Sequence, residues 1–292
     1  MGWIDPRAGA ALPAFPHRAP LRSDRPDASS TRCAGGSHLR CGALDPRALG
    51  RLDPVCTLSW LIGEDGYEVH FNRDESRSRP EARPPVISEV SGRRVLAPTD
   101  AQAGGTWIAV NNAGLGLALL NRYDGGQARG ARSRGLLVRE LASLASPRAV
   151  SDALDTARLT PFGPFELALF FPGQAVRCWS WDGRRLSPRV LGDGDVPLTS
   201  SGFDADGVRE CRRKVFGEAG MPAAGTDLAA VHRSHLPEKG PYSVCMHRSD
   251  AVTVSYTRLR VDARQAEMDY LPGSPCRAAR SVRRRLALEP ER

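Results

Sequence analysis

Lysine is almost missing from this chain. Only Lys214 and Lys239 occur among its 41 Lys and Arg residues, so the formal net charge of +8 is carried by arginine. With abundant Ala, Gly and Pro, that skew fits a GC-rich coding sequence of the bacterial kind, and the arginines are scattered rather than gathered into a groove for a polyanion. Only Arg277, Arg280, Arg283, Arg284 and Arg285 cluster. They read as a solvated basic tail over 277–292, and no nucleic-acid partner is expected. No window holds 18 consecutive apolar residues, so no membrane span is expected, and Pro13, Pro16 and Pro20 interrupt any secretory apolar run. The 7 cysteines are odd in number and irregular in spacing, which excludes a disulfide framework and points to reduced thiols in the cytoplasm. No internal repeat is present. The Asp124-Gly125-Gly126 turn with Gly130 lacks the lysine of a phosphate-binding loop. No cofactor is expected.

Residues 1–54 contain seven prolines, no Lys and no Glu, and no period long enough to bury a face. They are read as a disordered extension. Cys33, His38 and Cys41 within it lack a fourth ligand and a folded frame for zinc. From Val55 the pattern changes. CTLSWLI (56–62) and YEVHF (67–71) alternate around the turn Glu64-Asp65-Gly66, as a β-hairpin does. An Arg- and Pro-rich loop runs from Ser76 to Pro85, and the loops 76–94 and 121–132 are expected to rim a pocket. TWIAV (106–110) and LGLALL (115–120) form a second hairpin. Ser133 is placed to cap a helix with Leu137, Val138, Leu141 and Leu144 on one face, and Ser146 with Pro147 opens another reaching Arg158. Strands are expected at 165–171, 175–181 and 185–191, helices near 205–217 and 226–235, and closing strands near 242–247, 251–260 and 266–271. Grouped hairpins and grouped helices indicate an antiparallel α+β protein rather than a parallel doubly wound sheet.

Chemistry concentrates at the start of the first strand. A free Cys56 alone is ordinary packing, but the partner strand ends in Asn72-Arg73-Asp74-Glu75, four polar side chains that a hairpin returns to residue 56. An arginine beside a thiol favours thiolate, and an aspartate can hold an ammonium. Asn121 ends LGLALL, where a side-chain amide can serve as an oxyanion donor, and Gly104-Gly105-Thr106-Trp107 allows close backbone approach. Trp60, Trp107, Trp179 and Trp181 are read as core and pocket wall. His232, His235, Cys245 and His247 offer an i, i+3 pair and a Cys-x-His pair; a satisfied polar surface is the expectation, and no metal site is assigned.

CTLSWL, NRDESRSRPEARPP, PTDAQAGGTWIAVNNAGLGLALLNRYDG, YSVCMHRSDAVTVSYTRL and LPGSPC, taken together and in order over about 55–276, resemble the NRDE family, which includes the eukaryotic transport and Golgi organisation proteins. That family is similar to the N-terminal-nucleophile hydrolases, above all the choloylglycine hydrolase and penicillin V acylase group. The resemblance implies a four-layer αββα sandwich for a domain over 55–276. It implies Cys56 as nucleophile, Arg73 and Asp74 as its partners and Asn121 as oxyanion donor, with Asn72, Glu75, Trp107 and Ser200 about a small-molecule substrate or ligand. Two departures stand out. The group has an asparagine after a Leu-Thr pair where this chain has Ser200, and its Arg and Asp are separated where Arg73 and Asp74 are adjacent, so one of these two is expected to face away.

An N-terminal cysteine uses its own α-amine, of pKa near 8 in solution, as the base for its thiol. An amide nitrogen is no base. The expected origin of a free Cys56 is initiation at Val55, read as methionine from a GTG codon and trimmed. Cleavage of the Val55–Cys56 bond, or a retained extension on an inactive relative, are the alternatives. The implied function is a cysteine amidohydrolase acting on an amide or acyl substrate; the alternative is a non-catalytic binding or trafficking protein for haem or lipid-linked cargo on the same scaffold.

Overall fold

A computed structural model describes residues 56–123, 130–221, 225–277 and 280–289. The extension 1–54, Val55 and the Asp124-Gly125-Gly126 turn lie outside the described residues. The strands are β1 (Thr57–Ile62), β2 (Tyr67–Ser76), β3 (Arg83–Val90), β4 (Arg93–Thr99), β5 (Ile108–Asn111), β6 (Gly116–Asn121), β7 (Phe165–Phe170), β8 (Val176–Trp181), β9 (Leu186–Leu191), β10 (Leu198–Thr199), β11 (Ala251–Val261), β12 (Gln265–Pro272) and β13 (Val282–Ala287). The helices are α1 (Arg134–Leu141), α2 (Pro147–Thr156), α3 (Ala205–Glu218) and α4 (Leu228–Arg233). Every ladder is antiparallel, in two sheets ordered β10-β1-β2-β11-β12-β13 and β3-β4-β5-β6-β7-β8-β9.

Strand alternation builds the layers. One face of the first sheet (Leu58, Trp60, Val69, Phe71) packs on one face of the second (Ile108, Val110, Ala118, Phe170), with Tyr67 and Phe170 stacked at 5.6 Å. The other face of the second sheet (Ala109, Leu117, Leu119, Leu167) carries Leu137, Val138 and Leu141 of α1 and Val150 and Leu154 of α2. The other face of the first sheet meets α3 and α4: Arg212 donates to Thr57, and Ser59 lies 2.8 Å from His232. The fold is therefore an α+β, four-layer αββα sandwich. Each buried Leu or Phe contributes roughly 1.5–3 kcal/mol, against about 0–1 kcal/mol for an exposed ion pair. The apolar seam thus holds the sheets together and leaves their polar edges available for a site.

Four expectations need correction. The segment 76–94 is largely a hairpin, β3 with β4, turning at Ser91 (φ 50) and Gly92 (φ 78). Pro84 and Pro85 are tolerated there because β3 is an edge strand. The basic tail is in part strand β13, whose arginines meet carboxylates across the ladder, Arg283 with Asp269 and Arg285 with Glu267, each at 2.6 Å. No strand forms at 242–247, because the Ser243 hydroxyl bonds the Gly240 and Cys245 carbonyls and bends the chain. Ser133 precedes α1 without a side-chain cap bond, whereas Ser146 accepts from the Ala149 N–H as expected.

The Gly104-Gly105 pair has two separate causes. Gly104 holds φ +70, and a Cβ on Gly105 would lie 2.3 Å from the Gly135 carbonyl carbon in the first turn of α1. Thr106 N–H also donates to the Gly135 carbonyl at 3.0 Å. Gly105→Ala is expected to push α1 off the sheet and cost about 3 kcal/mol, measured by urea unfolding.

Candidate active site

The hairpin of β1 and β2 sets residue 57 opposite residue 72 and so brings Cys56 level with Arg73 and Asp74. On β2, Tyr67, Val69 and Phe71 face the partner sheet, and Arg73 continues that face. Its guanidinium lies 4.3 Å from the Trp107 ring centre and donates to Asp100 at 2.5 Å. Asp74 faces the helices instead, as adjacency on a strand requires. A bulge completes this arrangement: β11 pairs Ser255 with Arg73 but Thr253 with Asp74, leaving Val254 over. The bulge turns the Thr253 hydroxyl onto Asp74, to which it donates at 2.5 Å. The second carboxylate oxygen faces Arg212 of α3 at 3.5 Å and accepts no hydrogen bond among the described residues.

Cys56, Arg73, Asp74, Glu75, Trp107 and Asn121 line one cavity of about 120 Å³, whose rim includes Ser133 and Gly135 at the start of α1. The Cys56 N–H donates to the Ser200 hydroxyl and the Ser200 N–H to the Cys56 carbonyl, both at 3.1 Å. Ser200 and Asn121 also line an adjoining cavity of about 270 Å³. The Asn121 amide donates to the Tyr123 hydroxyl at 2.9 Å, which fixes its orientation at the strand end. Trp107 Nε1 is buried with no hydrogen-bond acceptor among the described residues.

Asn72 does not join this site. It lies on the opposite face of β2, completely buried, and its amide donates at 2.9 Å to the His232 and Val244 carbonyls. Its position in the polar row concealed a structural role, because alternation separates it from Arg73. His232 is likewise packed inward, stacked on His70 at 5.6 Å. Sequence reasoning missed Arg212, Thr253 and Asp100. Arg212 left a signal, since Val208, Arg212, Val215 and Phe216 form the buried stripe of α3 and an arginine in an apolar stripe requires a buried partner. Thr253 left none, because only the bulge turns it towards Asp74.

Electrostatics disfavour a resting thiolate. Burial, with the Asp74 charge second, pushes the Cys56 thiol up to about 12, and the opposing effect of Arg73 is smaller. Burial also pushes the Asp74 carboxyl up to about 7 despite Arg212, and lowers the Arg212 guanidinium. Both directions mean that desolvation exceeds the mutual attraction of the pair. In the full chain, where Cys56 has no amine of its own, alkylation of Cys56 by iodoacetamide should rise about tenfold per pH unit from pH 7 to 10 without levelling. Peptide mapping by mass spectrometry reads this rate, and a plateau near pH 8 would contradict the buried, neutral thiol.

Comparison with known proteins meets this geometry in one place. Residues 67–191 match the family model described as Transport and Golgi organisation 2. Over those residues the chain resembles that family. The segment contains Asn72–Glu75, Gly104–Trp107 and Asn121, so the resemblance read from those residues stands. No curated protein matches the sequence. Among solved structures, penicillin V acylase from Agrobacterium tumefaciens is 13% identical, covering 74% of this chain and 83% of its own, with a TM-score of 0.46. A Caenorhabditis elegans ortholog of N-acylethanolamine-hydrolyzing acid amidase is 15% identical, covering 70% and 92%, with a TM-score of 0.48. A mutant of conjugated bile acid hydrolase from Clostridium perfringens is 12% identical, covering 81% and 97%, with a TM-score of 0.44. The layer order stands on the chain's own strands and helices. No helix among the described residues is long and apolar enough to cross a membrane.

Proposed function

We propose that the chain is a cysteine amidohydrolase in which Cys56, once its α-amine is free, attacks an amide or other acyl carbon of a small-molecule substrate. The observation that carries this reading is that one cavity combines the Cys56 thiol, the Arg73 guanidinium, the Trp107 indole and the Asn121 amide. The free amine takes the thiol proton, and sulfur adds to the acyl carbon. Asn121, with Trp107 Nε1 as a second donor, steadies the oxyanion. The carbon–nitrogen bond then breaks, and the departing amine takes the proton from the α-ammonium. Water, deprotonated by the same amine, releases the acid from the thioester. Ser200 holds the Cys56 nitrogen where the base is needed. Asp74 acts through charge on the ammonium, since its side chain is committed to Thr253 and Arg212. Arg73 and Glu75 border the pocket, and Arg73 suits a substrate carboxylate.

A second reading rests on the neighbouring cavity of about 590 Å³, where Arg73, Arg77, Arg79, Lys239 and Arg277 outnumber Glu75 and Glu81. With the amine blocked and the thiol neutral, these cations suit capture of an anionic ligand without chemistry, as in a carrier of haem or lipid-linked cargo. Intact-mass measurement separates the two. A chain beginning at Cys56, exposed to a panel of N-acyl amides and activated esters, is expected to gain one acyl group that Cys56→Ala does not gain. Retention of unmodified ligands with no acyl adduct across the panel would favour the carrier.

A further inference from the structure

The four residues His235, Cys245, His247 and Cys276 come together although they are spread along the chain from α4 to the end of β12. One ligand atom from each lies within 4.8 Å of all the others. The set differs from the one suggested by sequence: His232 is turned inward on α4, and Cys276, from the LPGSPC stretch after β12, takes its place. We propose that these four side chains form a closed, structural Zn²⁺ site of the Cys₂His₂ type.

The spacing fits the ion. Tetrahedral zinc with sulfur at about 2.3 Å and nitrogen at about 2.1 Å holds an S and an N ligand about 3.6 Å apart. His247 Nε2 lies 3.5 Å from Cys245 Sγ and 3.3 Å from Cys276 Sγ. The rings of His235 and His247 are 5.1 Å apart at 68°, splayed as two imidazoles about a common point are. His235 Nε2 is buried and accepts or donates no hydrogen bond among the described residues, so the atom that would bind metal is otherwise unused. The backbone carrying the ligands is already fixed: Cys245 N–H donates to the Ser234 carbonyl, His247 N–H to the Gly240 carbonyl, and the Ser274 hydroxyl to the Thr253 carbonyl.

The donor set also assigns the role. Four protein ligands leave no position for water, so the ion is structural rather than a Lewis acid. It clasps the chain after α4, the bend before β11 and the turn after β12. The bend and the turn both bond to the bulge that aims Thr253 at Asp74, Met246 with Thr253 and Gly273 with Val254, and His247 itself lines the cavity of about 590 Å³. Binding releases the two thiol protons, so affinity falls as pH falls.

The test uses the full chain, expressed without a histidine tag, with zinc measured by plasma mass spectrometry and folding by circular dichroism. About one zinc per chain is expected, falling to near zero in Cys276→Ser and in His235→Asn but retained in Cys56→Ser. Co²⁺ titrated into metal-stripped wild type should give tetrahedral visible bands and a thiolate-to-cobalt charge-transfer band. This second measurement decides the matter if a variant fails to fold. Metal-free protein without the cobalt–thiolate band, zinc retained in Cys276→Ser, or a Cys245–Cys276 disulfide in the native chain would each overturn the site.

Discussion

Replacing Cys56 by serine in a chain that begins at that residue is expected to lower amide turnover by about three orders of magnitude, with little change in folding. The size follows from the division of labour at the site. Oxygen replaces sulfur in the same cavity, so Arg73, Trp107 and Asn121 still bind the acyl group. The attacking atom, however, becomes an alcohol, far less acidic than a thiol, so the α-amine must draw its proton off during attack against a much larger pKa gap. The loss should therefore fall on kcat, and KM should stay within a few-fold. A rise in KM with kcat unchanged would place Cys56 in the pocket wall and not in the chemistry. Stability should barely move, because the Cys56 side chain gives up only the hydrogen bond from its thiol to the Asp74 carbonyl, long at 3.8 Å.

Truncating Asp74 to alanine should have the largest effect on stability, about 3–5 kcal/mol at pH 8 by urea unfolding. Arg212 and Asp74 are both completely buried, and Arg212 also donates to Thr57 and to the Ser243 carbonyl at 2.7 Å. Removing the carboxylate leaves a guanidinium among apolar and backbone groups with its counter-charge gone. Burial dominates both partners, so the pair itself adds little, and Asp74→Ala with Arg212→Leu should be less destabilised than Asp74→Ala alone. The pH dependence has a defined sign. The folded carboxyl is raised to about 7 from the ordinary 3.8. The folded chain therefore holds this proton more tightly, so its contribution is fullest below about pH 4 and is lost as pH rises through 7. Asp74→Asn should flatten that slope while keeping the Thr253 hydrogen bond. An Asp74→Ala chain as stable as wild type at pH 8 would remove Arg212 from the electrostatics of the site.

Periodicity showed the two hairpins that create the site, since CTLSWLI and YEVHF alternate cleanly and their turn sets Cys56 beside Arg73. The LGLALL strand likewise placed Asn121 at an end. What alternation cannot show is a bulge or a face reversal. Asn72 and Arg73 look equivalent in a polar row, yet one faces the helices and the other the cavity, and Thr253 reaches Asp74 only because Val254 is left over. The β3–β4 hairpin escaped notice because an exposed edge strand has no apolar face to announce it and can hold Pro84 and Pro85. The Cys and His cluster was half legible: His235, Cys245 and His247 stand close in sequence, but Cys276 joins them only through the return of β12 beside β11.

In the proposed mechanism, chemistry at Cys56 requires its own amine. The most direct measurement compares hydrolysis of the same N-acyl amide by a chain beginning at Cys56 and by one beginning at Val55, which differ by a single residue. The expected result is turnover by the first and a loss of about a thousandfold in the second, with both folded alike. Equal rates would show that the amine is not the base and contradict the account.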